Sequence, residues 1–270
     1  MDENKMGTAP MTKLIISMSL PAMFSMFIQA LYNIVDGIFV AKLNSDAFVA
    51  VSLALPVQML LIAFAVGTGV GLNSLISRKL VEKDFEKANL AATNGVFISV
   101  LLWIVFAIIG FFFSNPFIKM FTQSETIISY GTDYLQVVTI FSVGLFVQIA
   151  FEKILQATGN MVYPMLFQLI GAITNIILDP IMIFGLFGFP ALGVKGAAVA
   201  TVVGQIVGLS FSSYIIFTKE HGVKITLKNF RPNYNAIVDI FRVGFPAIVM
   251  QSIASVLVVG LNKIFGVYSE

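Results

Sequence analysis

The sequence predicts an all-α integral membrane protein, a six-helix transmembrane lobe followed by a seventh span. Three observations carry that reading. Only 11% of the 270 residues are charged, against about 25% in soluble domains, and the mean hydropathy is +0.93. Apolar runs recur along the chain at about 20 residues each, the length that crosses a bilayer core of about 30 Å. The Lys and Arg residues are parcelled into the polar segments between those runs, which is the charge pattern of a multi-pass protein.

The elements follow in order. Residues 1–13 are short and of mixed charge, and the apolar run behind them has no small-residue cleavage site. They read as the lead into an uncleaved span rather than a signal peptide. Span one is expected over 14–40, with Pro21 in its first turns, where a missing N–H costs little. Gln29, Tyr32, Asn33 and Asp36 fall at helical spacings, so Tyr32 and Asp36 share a face. Ser45 and Asp46 are expected to form a turn before span two, over 50–75. Gly67, Gly69 and Gly71, followed by Asn73 and Ser74, suit close helix packing in a membrane. A hinge or a cavity wall is the other use of such a run.

Span three is expected over 92–113, holds the single Trp103, and ends at Asn115-Pro116. An amphipathic segment around 117–128 leads to span four, over 134–157, with Gln148, Glu152 and Gln156 one turn apart. Thr158-Gly159-Asn160 is a tight turn. Span five, over 163–187, opens on Pro164, contains Asn175 and Asp179, and is broken by Gly188-Phe189-Pro190. Span six, over 194–217, carries Thr201 and Gln205 four apart on one face. A polar stretch over 218–242 reads as a linker, and a last apolar span covers 243–267.

Charge sets an expected orientation. With the N-terminus cytoplasmic, twelve of the sixteen Lys and Arg residues fall on inner segments, as the positive-inside rule requires. Pro21-Ala22 near the start of span one and Pro246-Ala247 near the start of span seven each open an outward-running helix after a polar segment. Parallel repeats begin on the same side of the membrane. The expected organisation is a lobe over 1–217, a cytoplasmic linker over 218–242, and over 243–270 the first helix of a truncated second lobe. The natural protein is expected to be longer, with about twelve spans on that two-repeat plan.

The polar residues inside the apolar runs are the candidate functional ones. A charged side chain near the bilayer centre costs about 2.5–3.5 kcal/mol on insertion scales and is by default a functional candidate. Asp36 lies 15 residues after Pro21, and Asp179 lies 15 residues after Pro164. On two parallel helices that offset places both acids about 22 Å above the span starts, with Tyr32 and Asn175 one turn below them. Three roles fit such a cluster. Buried carboxylates can take up and release a proton. Their oxygens, with the amide, can hold a sodium ion. Or each acid bonds a neighbouring helix or pins a kink at Pro180. Two costly acids at one depth favour the first two.

Glu152 falls near the cytoplasmic end of span four, beside Lys153, where a solvated interface position and a cavity role fit equally. Gln148 reaches deeper. The 26 Phe and 12 Met residues are mostly lipid-facing or core side chains, and some could line an adaptable cavity. With no cysteine there is neither a disulfide nor a thiolate metal site, and the single His221 sits in a polar loop, solvated. No His-Glu-x-x-His and no intramembrane Ser with a Lys or His partner is present, which excludes the metalloprotease and serine-protease types of membrane enzyme. The net charge of +2 gives no reason to expect nucleic acid as a partner.

Asn175-Ile176-Ile177-Leu178-Asp179-Pro180, with Gly185 and then Gly193-Val194-Lys195-Gly196-Ala197-Ala198-Val199-Ala200-Thr201, resembles span five and the start of span six of the multidrug and toxic compound extrusion (MATE) transporters. Tyr32-Asn33-Ile34-Val35-Asp36-Gly37-Ile38-Phe39-Val40 resembles their first span, and Leu155-Gln156-Ala157-Thr158-Gly159-Asn160 the turn after their fourth. The style of the sequence is similar to the staphylococcal-type multidrug exporters. The resemblance implies half of a two-lobe, twelve-helix antiporter of the bacterial plasma membrane, working as a monomer in the lipid bilayer without a cofactor. It would export cationic or amphipathic drugs in exchange for H⁺ or Na⁺. Asp36, Asp179, Tyr32 and Asn175 match the coupling-cation site of the family's N-terminal lobe. Gln29, Asn33, Gln148, Glu152, Thr201 and Gln205 are candidate cavity-lining residues. The alternative within the same superfamily is a lipid-linked oligosaccharide flippase. Such proteins line their cavity with several cations, whereas the mid-membrane residues here are acidic.

Overall fold

A computed structural model describes residues 10–226 and 231–268. Those residues form a bundle of long helices: α1 (Met11–Ala41), α2 (Ser45–Val81), α3 (Phe85–Lys119), α4 (Glu125–Ile140), α5 (Val143–Ala157), α6 (Val162–Phe184), α7 (Val194–Thr218) and α8 (Tyr234–Tyr268). The pair α4 and α5 is bent by 43° at its junction and passes as one broken span, which gives seven candidate membrane spans among the described residues.

Local chemistry sets the helix ends. Asn44 caps α2 by accepting the Ala47 N–H at 2.7 Å, with Asp46 in the first turn. Ser45 and Asp46 therefore open the helix, and the turn expected there is made by Lys42 and Leu43. An acidic residue and an Asn cap both favour a helix start over a turn. Asp84 caps α3 through the Lys87 N–H at 3.1 Å. The expected stop at Asn115-Pro116 does not occur: α3 carries Pro116 in its last turn and ends at Lys119. Pro21 lies ten residues inside α1 rather than in its first turns. Span five ends sooner than expected, at Phe184, because Gly185 takes a left-handed conformation (φ 72°) and caps the helix through its N–H to the Ile181 carbonyl. Glycine reaches that region without the steric cost of a Cβ.

The expected fourth span starts earlier, at Glu125, and is interrupted at Phe141 and Ser142. Hydroxyls loosen the helix at that point. Thr139 Oγ1 donates to the Leu135 carbonyl at 2.6 Å, and Ser142 Oγ donates to the Thr139 carbonyl at 2.8 Å. Such back-bonding competes with the helix ladder and bends it.

Helix α2 is central. It packs on α3, α4, α5 and α8, while α6 pairs with α7 and α1 lies mainly on α6. The glycines of α2 divide between two neighbours. A Cβ at Gly67 would collide with Ile248 of α8, and one at Gly71 with the Ile240 carbonyl of α8. Gly69, two residues from each, faces Lys153 of α5. Small residues thus let backbones touch where lipid offers no hydrophobic drive. The packing reading of this glycine run holds.

Two apolar clusters fill the bundle, one at each end. One gathers Leu72, Ile76, Ile154, Phe167 and Ile240, and the other gathers Val40, Leu61, Phe106, Phe146 and Ile183. The outer face is a belt of exposed apolar side chains, including Phe111, Phe112 and Phe113 at 59–64% exposure. In a bilayer that surface is satisfied by lipid.

Much of the expected linker is ordered. Helix α8 begins at Tyr234, nine residues before the expected 243. Ahead of it, three side chains of α3 accept backbone N–H groups of the connecting segment. Asn89 Oδ1 takes Lys224 at 2.6 Å, Thr93 Oγ1 takes Thr226 at 3.3 Å, and Asn94 Oδ1 takes Asn233 at 2.9 Å. The segment is strapped to the bundle. Of the expected linker, 227–230 lie outside the described residues, as do 1–9 and 269–270.

Candidate functional site

Helices α1, α6 and α7 bring polar side chains together inside the bundle. Tyr32 and Asp36 are one turn apart on the inner face of α1, Asn175 and Asp179 one turn apart on α6, and Thr201 faces them from α7. The α6–α7 approach rests on paired glycines: a Cβ at Gly171 would lie 3.2 Å from the Gly204 carbonyl oxygen. Asp179 is fully buried, Asn175 and Thr201 nearly so, and Asp36 is 9% exposed.

The hydrogen bonds run through the amide. Asn175 Nδ2 donates to Asp179 Oδ1 at 3.2 Å and to Thr201 Oγ1 at 3.3 Å. Tyr32 lies beside Thr201, and the Asp36 and Asp179 carboxylates are close enough to act on each other's charge. Several acceptor oxygens are left over. Asp36 Oδ1, Asp179 Oδ2 and Asn175 Oδ1 are buried acceptors with no donor, and so is Gln205 Oε1 one turn beyond Thr201. Buried polar atoms are nearly always paired, and an exception calls for an explanation.

Acceptors without donors define the chemistry: they fit a proton or a cation. Among the described residues no three His, Cys, Asp or Glu side chains come together. Two carboxylates with neutral oxygens suit a proton or a monovalent ion better than a tightly held divalent metal, which takes six or more oxygen ligands when it is calcium.

The remaining expected residues divide. Gln29 and Asn33 lie on the exposed side of α1, away from the cluster. Gln148 and Glu152 form a second buried group on α5. Glu152 is 3% exposed, which removes the solvated-interface alternative. Gln148 Nε2 donates to its Oε1 at 3.1 Å, and Gln168 Nε2 of α6 donates to its Oε2 at 3.0 Å. Every oxygen of this carboxylate has a donor.

Three residues near these groups were not expected from the sequence. Gln168 is one. Tyr134 of α4 is buried, lies near Asp36 and Tyr32, and accepts from Gln58 Nε2 at 2.9 Å. The available signal was a polar atom inside an apolar run, as for Asp179, but a neutral phenol or amide stands out less than a charge.

Comparison with known proteins follows the same lines. The MatE family model matches residues 21–181. The multidrug export protein MepA of Staphylococcus haemolyticus is 30% identical over 260 residues, 96% of this chain and 56% of that protein. The FAD transporter of Shewanella oneidensis is 26% identical, over 93% of this chain and 56% of that protein. A MOP-superfamily transporter from Pyrococcus furiosus, described as having a binding pocket of reversed polarity, superposes with a TM-score of 0.86 at 31% identity, over 93% of this chain and 55% of that one. An outward-facing multidrug resistance MATE transporter gives 0.82 at 34% identity, over 88% and 52%. The chain spans about half the length of the curated relatives it matches. A family match over more than half of the residues, on an all-helical multi-pass fold that superposes on solved members, places the chain in the MATE family.

Proposed function

We propose that this chain carries the coupling-cation site of a secondary antiporter that exports cationic or amphipathic compounds in exchange for H⁺ or Na⁺. The observation that carries the reading is the set of donor-less buried oxygens on Asp36, Asp179 and Asn175. Two carboxylates this close in a dry interior cannot both hold a bare negative charge at low cost. One proton or one sodium ion between them supplies the missing partner. The cluster joins α1 to α6 and α7, so its occupancy sets how tightly α1 is held against the rest of the bundle. Release of the ion repels the two acids and loosens α1. That gives alternating access a local lever, since a bound ion shifts an equilibrium only by its preference for one state.

Cationic cargo is supported by charge. The polar residues buried within the bundle are acidic or neutral, with Asp36, Asp179 and Glu152 its buried carboxylates among the described residues. The same charge pattern argues against a flippase for acidic lipid-linked sugars. Relatives named for multidrug export share this chain's length of match, and the FAD-transporting relative marks the range of cargo within the family. The distribution of Lys and Arg supports an N-terminus-in orientation, and the bacterial relatives support a location in the plasma membrane. The protein works as a monomer, with the cargo path bounded by the exposed face of α1.

The test is efflux of a cationic dye from everted vesicles holding the protein as its gene encodes it, under separate pH and sodium gradients. One gradient drives efflux and Asp179→Asn abolishes it. Dye accumulation indifferent to both gradients would sink the antiporter reading.

A further inference from the structure

We propose that the cavity between α1, α2 and α5 is a binding site for a phosphate group on an apolar or amphipathic body, with Lys153 as its counter-charge. The cavity holds about 240 Å³ and lies at the end of the bundle where α5 turns into α6. Lys153 and Gln156 line it from α5, Asn73 and Ser77 from α2, and Met18 and Met161 give it an apolar wall.

Lys153 is half-buried, and its ammonium donates to Gln156 Oε1 at 3.0 Å. No carboxylate pairs with it. The ion pairs among the described residues are Lys79 with Glu82 and Lys87 with Asp84. Its neighbour Glu152 has both oxygens engaged by Gln148 and Gln168. Glu152 acts on Lys153 through its charge alone, without a close ion pair, and an ammonium partly withdrawn from water is costly unless an anion pairs with it.

The lysine is also held in place. A Cβ at Gly69 would lie 2.7 Å from Lys153 Cγ, so its stem rests on the bare backbone of α2. Asn73 Nδ2 donates to the Lys153 carbonyl at 3.0 Å. Gly69, Asn73 and Ser77 follow at four-residue intervals along one face of α2. One face of a single helix therefore seats the cation, pins its backbone and presents a hydroxyl.

The donor set fits phosphate. An ammonium, the Ser77 hydroxyl and the Gln156 amide N–H groups can each serve a different oxygen of a tetrahedral anion, and Lys binds phosphate as a point charge. Methionine walls adapt to an attached alkyl or ring body. Arg78 near the end of α2 and Lys83 in the α2–α3 connector add attraction at the same end. The phosphate can come from the headgroup of an anionic lipid or from a free phosphorylated molecule.

The experiment separates these sources. The full chain, purified in a neutral detergent, is titrated with dioctanoyl phosphatidylglycerol, with adenosine monophosphate, and with an uncharged alkyl glucoside as control. The readout is the melting temperature, which a ligand of the folded state raises by mass action. At least one phosphate probe raises it saturably, and the glucoside does not. Saturation by the lipid alone assigns a headgroup site, and saturation by the nucleotide a site for soluble phosphates. Lys153→Gln weakens the apparent affinity roughly tenfold, and Lys153→Arg keeps it. Should Lys153→Gln fail to fold, Ser77→Ala carries the comparison, with affinity reduced roughly threefold. No response to either phosphate probe, or a wild-type response from Lys153→Gln, overturns the proposal. No gradient is present, so the result stands apart from the antiport test.

Discussion

Asp36 and Asp179 share their site with more acceptors than donors, whereas Glu152 sits between two amides that satisfy both of its oxygens. Both sites are buried carboxylates in one bundle. The first has buried acceptors without donors, which on the proposed reading a proton or cation would complete. The second is complete as folded, and it ties α5 to α6 through Gln168. Burial is common to both; the balance of donors and acceptors is what differs, and it is the basis for proposing that the first pair works and the second is structural.

That contrast can be broken by substitution. The largest effect is expected at Asp179. Asp179→Asn removes a titratable group yet keeps an oxygen for Asn175 and adds donors to an acceptor-rich site. Gradient-driven dye efflux falls by at least about tenfold, while the melting temperature holds or rises. A variant that transports normally would erase the distinction between the sites. Asp36→Asn gives a similar loss, and the double variant is no worse than either single one, because groups that act as a unit are not additive.

At Glu152 the order of effects reverses. Glu152→Ala strands the amides of buried Gln148 and half-buried Gln168 and destabilises the fold by about 1–3 kcal/mol, read by chemical or thermal unfolding in detergent. Glu152→Gln recovers most of that, and whichever gradient drives the parent protein still drives the variant. A switch of coupling ion in Glu152→Gln would show that the second site takes part in coupling. Thr201→Val is a smaller probe. It removes the hydroxyl that accepts from Asn175 and costs about 1 kcal/mol, with a few-fold fall in efflux.

Asp84 supplies the solvated control. Its side chain pairs with Lys87 and caps α3, and the Lys87 hydrogen bond holds its carboxyl below the usual range. A group depressed by folding stabilises above its unfolded value, and that contribution is lost as pH falls through the lower, folded value. Asp84→Ala is therefore expected to lower the melting temperature slightly at neutral pH and not at all in strong acid. This is the smallest of the effects.

Much of this arrangement is legible in the sequence, for reasons tied to particular residues. Seven spans follow from hydropathy. Asp36 and Asp179 are expected at one depth because each follows a proline by the same 15 residues, and a helix converts residue count into height, although Pro21 itself lies ten residues inside α1. Height is not azimuth. Which face meets which neighbour depends on helix packing, so Thr201 as the bridge, Tyr134 beside Asp36, and Gln168 against Glu152 required the fold. The break at Phe141 was hidden for another reason. Thr139 and Ser142 are unremarkable in an apolar run until their hydroxyls turn back on the helix. The early start of α8 escaped hydropathy because Asn235, Asp239 and Arg242 interrupt the apolar residues of its first turns.

The contact between α2 and α8 bears on how such a protein can change over generations. At Gly71 the α2 backbone meets the α8 backbone directly, and at Gly67 it meets Ile248, backbone and side chain. A surface of this kind admits almost no substitution, since any added carbon pushes the helices apart. The exposed face of α1, with Gln29 and Asn33, carries no such restriction. Substitutions can therefore accumulate on that face of α1 more readily than at the α2–α8 joint, where each would cost packing.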